Sequence, residues 1–384
     1  MERLIYLDHA ATSYPKPQSV SRAMEDALRT KGGNPGRSGH TLSLRAARAV
    51  YECREKVCSL FHFDKPENVI FTQNTTYALN MAIKGVVRSG DHVVTSNLEH
   101  NSVLRPLYTL SRTRGVTYSL FDATDDDDEQ TVYCFKRALR DNTRVAVVTA
   151  ASNVCGKLLP IRAIGAVCRA KGITLIVDCA QAGGIVPLDA SVLNADFLCF
   201  AGHKGLYGPQ GTGILLCCGD RVPEPLAEGG NGVQSESREM GEALPERLEA
   251  GTVNTPGICG LSAGIDFVKS VGTEEIFGRS LHMTRYLTDR LFEIDGVTVY
   301  GDYGVKAPVV LMNKKGFSPN RLSSLLSDHG ICTRGGLHCA PTAHEVLGSG
   351  KEGGLRVSLG HGNTKGELDR FLSVLSKLHD EKDE

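Results

Sequence analysis

Short apolar runs rich in β-branched residues recur along the chain, and amphipathic helical stretches separate most of them. The runs lie at 68–72 (NVIFT), 92–96 (HVVTS), 116–121 (VTYSLF), 144–150 (RVAVVTA) and 173–178 (ITLIVD). Strands alternating with helices build βαβ units, and strands this uniformly apolar are covered on both faces, which makes the sheet mostly parallel. Two further runs, 196–201 (DFLCFA) and 212–217 (TGILLC), follow without a helix-length connection, so one of them is expected to pair antiparallel at this end of a mixed sheet. At 384 residues the chain exceeds the size of one hydrophobic core. A Gly-, Glu- and Pro-rich stretch over 223–257 divides it, and helical periodicity at 258–294 then precedes smaller strands at 297–300 and 308–312. The expected organisation is a large α/β domain over 1–257, whose N-terminal segment contributes to the small domain or the active site, and a smaller α+β domain over 258–384.

With 43 basic and 44 acidic residues the chain has no electrostatic footprint of a nucleic-acid or membrane-surface binder. Its first residues, Met1 to Asp8, lack an apolar leader core, and no apolar run approaches a bilayer span, so a cytoplasmic location is expected. The twelve cysteines include no CxxC pair, and several sit inside apolar runs (Cys179, Cys199, Cys217, Cys218), as reduced buried thiols do. Cys332, His338, Cys339 and His344 match no common zinc spacing, and no metal is expected. The acidic run from Asp125 to Glu129 reads as a solvated loop.

Ligands of an open α/β sheet sit at the carboxyl ends of its strands. Gln73-Asn74-Thr75-Thr76 follows the run at 68–72 and opens a helical pattern, which offers hydroxyls and free N–H groups to a phosphate or an ordinary helix cap. Asp178 ends the run at 173–178, where a buried carboxylate needs a cationic partner. Lys204 follows His203 in a glycine-flanked turn after 196–201, and a lysine of lowered pKa forms imines readily.

Asp178-x-x-Gln181, Ala201-Gly202-His203-Lys204 and Gly208-Pro209-x-Gly211, in that order, resemble the class V aminotransferase-like family, its cysteine desulfurase branch above all. The resemblance runs from Tyr6-Leu7-Asp8-His9-Ala10-Ala11-Thr12 to Arg356-Val357-Ser358-Leu359. It implies a fold-type-I enzyme dependent on pyridoxal 5'-phosphate, usually a homodimer. Lys204 would carry the cofactor as a Schiff base and then act as the base at the substrate α-carbon. His100 would stack on the ring, Asp178 would pair with the ring nitrogen and keep it protonated, and Gln181 would meet the phenolic oxygen. Thr75, Thr76 and His203 would bind the phosphate. Asn153 would lie near cofactor and substrate, and Thr252 would reach a neighbouring subunit's phosphate.

Arg334-Gly335-Gly336-Leu337-His338-Cys339-Ala340 resembles the R-x-G-x-H-C-A motif of the second type of cysteine desulfurase. There Cys339 would attack the sulfur of L-cysteine and hold it as a persulfide for a sulfur-acceptor protein, releasing L-alanine. Arg334 and His338 are expected to favour its thiolate. Arg356 would hold the substrate carboxylate through two parallel hydrogen bonds, and His40 is a fainter candidate for the substrate pocket. Ala201 stands where a serine or threonine is common, Gly205 reads as an insertion after Lys204, and Leu337 replaces a polar residue. Alternatives with the same cofactor are a selenocysteine lyase acting on L-selenocysteine, an aminotransferase and another β-elimination. A weakly active sulfur-relay scaffold would need neither Lys204 nor Asp178, and a nicotinamide dehydrogenase would need a strand followed by G-x-G-x-x-G, which the chain lacks.

Overall fold

The computed structural model describes residues 4–36, 38–233 and 236–378. Residues 1–3 of the N-terminal stretch and 379–384 of the expected C-terminal unit lie outside the described residues. The chain opens with β1 (Ile5–Tyr6), α1 (Gln18–Thr30) and α2 (Thr41–Phe61). It then alternates through β2 (Val69–Thr72), α3 (Thr75–Val86), β3 (His92–Ser96), α4 (Asn101–Arg114), β4 (Thr117–Phe121), α5 (Asp128–Ala138), β5 (Thr143–Thr149), α6 (Ile161–Lys171) and β6 (Thr174–Asp178), ending with β7 (Phe197–Ala201) and β8 (Gly213–Cys217). After a long irregular segment come α7 (Thr255–Val271), α8 (Thr273–Phe292), β9 (Val297–Tyr300) and β10 (Val309–Lys314). The chain finishes with α9 (Pro319–Asp328), β11 (Ile331–Cys332), β12 (Arg334–Gly336), α10 (Pro341–Val346), β13 (Gly354–Ser358) and α11 (Lys365–Lys377).

Seven strands form the main sheet in the order β2-β8-β7-β6-β5-β3-β4. The neighbours from β7 through β4 are parallel, and β8 runs antiparallel to both β7 and β2. The antiparallel pair expected at 196–217 is thus present, because the connection between β7 and β8 is too short for a crossover. Core residues of β3, β5, β6 and β7 are fully buried, since helices cover both faces. A second, four-stranded antiparallel sheet has the order β12-β13-β10-β9.

The expected helical stretch 258–294 is two helices, broken at Gly272, whose φ of 89° favours a residue without Cβ. The division at 257 falls at the start of α7, yet Ile258, Leu261 and Ile265 of that helix are buried in the core beneath the large sheet. The separate C-terminal core begins with Met283, Leu287 and Leu291 of α8. Ile5 and Leu7 belong to this C-terminal core, because β1 pairs in parallel with β11. The N-terminal segment therefore passes between the two cores, beside the carboxyl ends of the main strands.

Within the acidic run, Asp127 caps α5 and Asp128 and Glu129 occupy its first turn, where negative charge suits the helix dipole. Asp126 and Asp128 also lie 3.9 and 3.8 Å from the ammonium of buried Lys157. No helix among the described residues is long and apolar enough to cross a membrane.

A buried ion pair anchors the irregular segment. Arg54 Nη2 meets Glu249 Oε2 at 2.7 Å, and the other oxygen of Glu249 accepts from the Phe71 N–H at 2.6 Å. Arg54 also donates to the Val69 carbonyl. Removing one partner leaves an uncompensated buried charge, so Glu249→Ala is expected to destabilise the fold by about 3 kcal/mol. Chemical denaturation measures it, and a midpoint equal to that of the wild type contradicts this account of the segment.

Candidate active site

The carboxyl ends of β2, β3, β5, β6 and β7 converge on one cleft. Asn74, Thr75, Thr76, His100, Ser102, Asn153, Asp178, Gln181, His203 and Lys204 line it. The residues expected to hold a cofactor thus meet, Thr252 excepted.

One end of the cleft is the N-terminus of α3. Asn74 caps it by accepting from the Tyr77 N–H at 2.9 Å, and the first-turn N–H groups have no acceptor within the helix. The Thr75 hydroxyl and Nδ1 of His203 are buried without a partner. Burial lowers the His203 pKa to about 4, with the Lys204 charge adding to the effect, so the ring is a neutral donor or acceptor. The Thr76 and Ser102 hydroxyls are 2.7 Å apart.

His100 stands at the N-terminus of α4, where its Nδ1 accepts from the Ser102 N–H at 3.0 Å. That bond places the ring proton on Nε2. Burial and then Lys204 hold its pKa down at about 4, so it presents a neutral ring to the cleft. Asp178 ends β6, and burial raises its pKa above the usual carboxylate range despite a 2.9 Å bond from the Ala180 N–H. Gln181 donates to the Ala10 carbonyl at 3.0 Å, which ties it to the N-terminal segment.

Burial lowers the Lys204 ammonium to about 8, while Asp178 opposes the shift. The segment Thr12 to Lys16 grips the peptide before Lys204. The His203 carbonyl accepts from the Ser13 N–H at 3.1 Å, the Thr12 hydroxyl at 3.0 Å and the Lys16 ammonium at 2.6 Å. Gly205 has a packing reason: a Cβ there would lie 2.4 Å from the Gly183 carbonyl oxygen.

Arg356 on β13 is almost fully buried. Its Nη2 donates to Asp8 Oδ1 at 2.7 Å and its Nη1 to the Asn153 carbonyl at 3.1 Å, while Nε has no partner. The unpartnered N–H and the charge suit a carboxylate. Arg334 pairs with Arg356 across β12 and β13.

Cys339 is exposed, in contrast to the buried and half-buried thiols elsewhere in the chain. It and His338 adopt left-handed φ values of 57° and 50°, a conformation that costs a non-glycine residue about 1–3 kcal/mol. α4 and the loop after β5 hold this loop from two sides. The Asn101 N–H donates to the Cys339 carbonyl at 2.7 Å, and Asn153 Nδ2 donates to the His338 carbonyl at 2.8 Å. Cys339 also lines a surface depression with Thr76, His100 and Ser102.

Two expectations change. His338 supplies no positive charge to Cys339, because burial lowers its pKa to about 3 and both ring nitrogens are engaged, with Arg334 O and with His344. His40 is the exposed N-cap of α2, accepting from the Ser43 N–H at 3.3 Å, and does not line the cleft. Thr252 lines an adjoining cavity of about 640 Å³ that shares Asn74 and His203 with the cleft.

Sequence reasoning missed Asp8 as the partner of Arg356, Lys16 beneath the Lys204 loop, and Glu99. Glu99 is fully buried, accepts from Ser96 Oγ at 2.6 Å and the Thr149 N–H at 2.9 Å, and is raised to about 8 by burial. Glu99 directly precedes His100 in the polar turn after β3, where no feature of the sequence marked its carboxyl as buried.

The family model of class V aminotransferases matches residues 5–371. The chain belongs to the class V aminotransferase family. Among relatives of this class V chain, it is 35% identical over 381 residues to a protein of Methanothermobacter thermautotrophicus named probable cysteine desulfurase, covering 97% of this chain and 94% of the relative. It is 32% identical over 385 residues to a cysteine desulfurase of Pectobacterium atrosepticum, covering 98% and 93%. The apo structure of a cysteine desulfurase from Thermococcus onnurineus superposes with a TM-score of 0.89 at 31% identity, covering 97% of this chain and 94% of that one. The S-sulfonic acid form of an Escherichia coli cysteine desulfurase superposes with a TM-score of 0.85 at 26% identity, covering 97% and 94%. The class V chain thus shares the fold-type-I architecture of these enzymes.

Proposed function

We propose that the chain is a cysteine desulfurase that uses pyridoxal 5'-phosphate, converting L-cysteine to L-alanine and leaving the sulfur on Cys339 as a persulfide. The observation that carries this reading is the placement of an exposed, conformationally strained Cys339 on a loop bonded to Asn101 and Asn153, which flank the cleft of Lys204 and Asp178.

The cleft fits the cofactor. Thr75 and His203 have unpartnered polar groups suited to a phosphate beside the N-terminus of α3, and Asp178 is a buried carboxyl in need of a cation. When bound, pyridoxal 5'-phosphate supplies an electron sink for the substrate's α-carbon. Asp178 would hold a proton at the ring nitrogen, and His100, on the wall of the cleft, would pack against the ring. Lys204 anchors the cofactor and then serves as the base at the α-carbon. Arg356 orients the substrate through its carboxylate. The Cys339 thiolate forms an S–S bond to the substrate sulfur as the substrate's C–S bond breaks. L-cysteine and one thiol give L-alanine and one persulfide, so the sulfur transfer needs no external oxidant. The same reading makes the working unit a homodimer, with Thr252 near the partner's phosphate site, and a thiol-bearing acceptor protein takes the sulfur onward.

The test is the product balance of the purified protein with L-cysteine and a thiol reductant. Equal amounts of alanine and sulfide support the reading. Cofactor absorbance without alanine sinks the desulfurase assignment, and much faster release of selenium from L-selenocysteine assigns a selenocysteine lyase instead.

Arg356→Lys keeps a charge but loses the planar fork. It is expected to raise the KM for cysteine about 10- to 100-fold, as for the loss of a charged hydrogen bond. Steady-state kinetics decide, and an unchanged KM removes Arg356 from the substrate site.

The lowered pKa of Lys204 predicts a pH dependence. The neutral amine takes up the cofactor, and its fraction falls about tenfold per pH unit below the pKa. Uptake of pyridoxal 5'-phosphate by the apo-protein is therefore expected to rise up to pH about 8 and then level off. A rate still climbing at pH 10, as for an ordinary lysine, contradicts the burial effect.

A further inference from the structure

His344 is absent from the R-x-G-x-H-C-A motif, yet it sits directly behind that motif in the C-terminal unit. It lies on α10, and its ring stacks on that of His338 with centroids 5.2 Å apart. Three hydrogen bonds run in series through these rings. His338 Nε2 lies 3.0 Å from the Arg334 carbonyl, His338 Nδ1 lies 3.1 Å from His344 Nε2, and His344 Nδ1 lies 2.7 Å from the Ser349 hydroxyl. All three side chains are buried.

One proton arrangement satisfies the series. A carbonyl only accepts, so His338 Nε2 carries hydrogen and, in a neutral ring, Nδ1 is an acceptor. His344 Nε2 must then donate, which leaves His344 Nδ1 to accept from Ser349. Burial lowers the pKa of His344 to about 4, so both rings are neutral and the direction of the series is fixed. Ser349 is itself held, because its N–H donates to the His344 carbonyl at 3.1 Å and its carbonyl accepts from Asn313 at 3.1 Å.

The series runs from the peptide of Arg334 through His338, the residue before Cys339, to His344 and Ser349. Both strained residues, His338 and Cys339, lie between α10 and β12. Asn101 and Asn153 reach this loop from the large domain, whereas the His338–His344–Ser349 series is its support from the small one. We propose that His344 is a positioning residue, which, through its N–H to His338 and its bond to Ser349, holds the Cys339 loop in the strained conformation needed for sulfur attack. The catalytic half of this inference rests on the desulfurase reading, and the structural half does not.

The experiment uses the holoenzyme with His344→Leu, which keeps bulk and removes the donor, His344→Gln, whose side-chain N–H can replace that of Nε2, and Ser349→Ala. Losing one donor to a buried acceptor corresponds to about a tenfold effect or more. Hydrogen exchange in residues 334–341, followed by mass spectrometry, is expected to rise at least about tenfold in His344→Leu and less in Ser349→Ala. The kcat with L-cysteine is expected to fall by about the same factor while KM stays within about twofold, and His344→Gln is expected to restore both exchange and kcat.

Unchanged exchange in both His344→Leu and Ser349→Ala overturns the proposal. So does faster exchange with an unchanged kcat, or a His344→Gln protein as impaired as His344→Leu. If His344→Leu fails to retain the cofactor absorbance, Ser349→Ala and His344→Gln decide by the same two readouts. If the wild type forms no alanine, the desulfurase reading falls, and the exchange result alone still decides whether His344 holds the loop.

Discussion

Lys204→Ala is expected to abolish alanine formation, by about a thousandfold or more, and to remove the visible absorbance of firmly bound cofactor. Two functions are lost together. The amine is the nucleophile that anchors the cofactor and the base that moves protons at the substrate carbon, and a positioned base alone contributes about 10²- to 10⁴-fold. Among the described residues no other lysine lines the cleft. The Lys16 ammonium is committed to Ser13 and to the His203 carbonyl. Fluorescence or absorbance of the dialysed protein checks the anchoring and an amino-acid assay checks turnover. Firmly retained absorbance together with residual activity near that of the wild type would transfer the role to another residue.

The second large effect is expected at Cys339. Cys339→Ala should retain the cofactor absorbance and the spectral response to added L-cysteine, because the cleft is lined by large-domain residues and Cys339 is not among them. Alanine and sulfide should fall at least about a thousandfold, since removing the nucleophile leaves only slow uncatalysed loss of sulfur. None of the other thiols offers an evident substitute. Cys155, the one nearest to Asn153 in sequence, is buried with its sulfur 4.0 Å from the Tyr303 hydroxyl. Burial raises Cys179 and Cys199 far above the ordinary thiol range, which leaves them protonated. Turnover surviving in Cys339→Ala at more than about a tenth of the wild type would move the sulfur chemistry elsewhere.

The strands and the strand-end loops were legible in the sequence because burial on both faces fills runs such as Val145–Val148 with apolar, largely β-branched residues. His92–Ser96 coincides with the run read at 92–96, Asp178 ends β6, and Lys204 lies in the turn after β7. The break between α7 and α8 was less legible, because helical periodicity continues on both sides of Gly272 and masks the stop at that glycine and the acidic first turn, Glu274-Glu275, that follows it. The packing of α7 under the large sheet rather than in the C-terminal unit likewise depends on which apolar face meets which core.

Residue types at the site were legible, and their pairings were not. Asp8 and Arg356 are separated by nearly the whole chain and meet at 2.7 Å because β1 joins the C-terminal core. His338 is expected, from its neighbourhood in sequence, to favour the Cys339 thiolate. In three dimensions it lies between a carbonyl and a second imidazole, where burial excludes the charge. His40 looked like a pocket residue beside Gly39 and Thr41, and the start of α2 uses it as a cap instead. Glu99 shows the opposite case. Its buried carboxyl bonds Thr149 of β5, links neighbouring strand ends and lies within electrostatic reach of Asp178.

The most direct test of the central claim is the mass of the Cys339-containing peptide after the wild-type holoenzyme meets L-cysteine without reductant. The account predicts that this peptide gains one sulfur atom, that a thiol reductant removes it, and that Lys204→Ala shows no gain. A Cys339 peptide unchanged in mass while alanine accumulates would contradict the account, because sulfur would then leave the substrate without passing through Cys339.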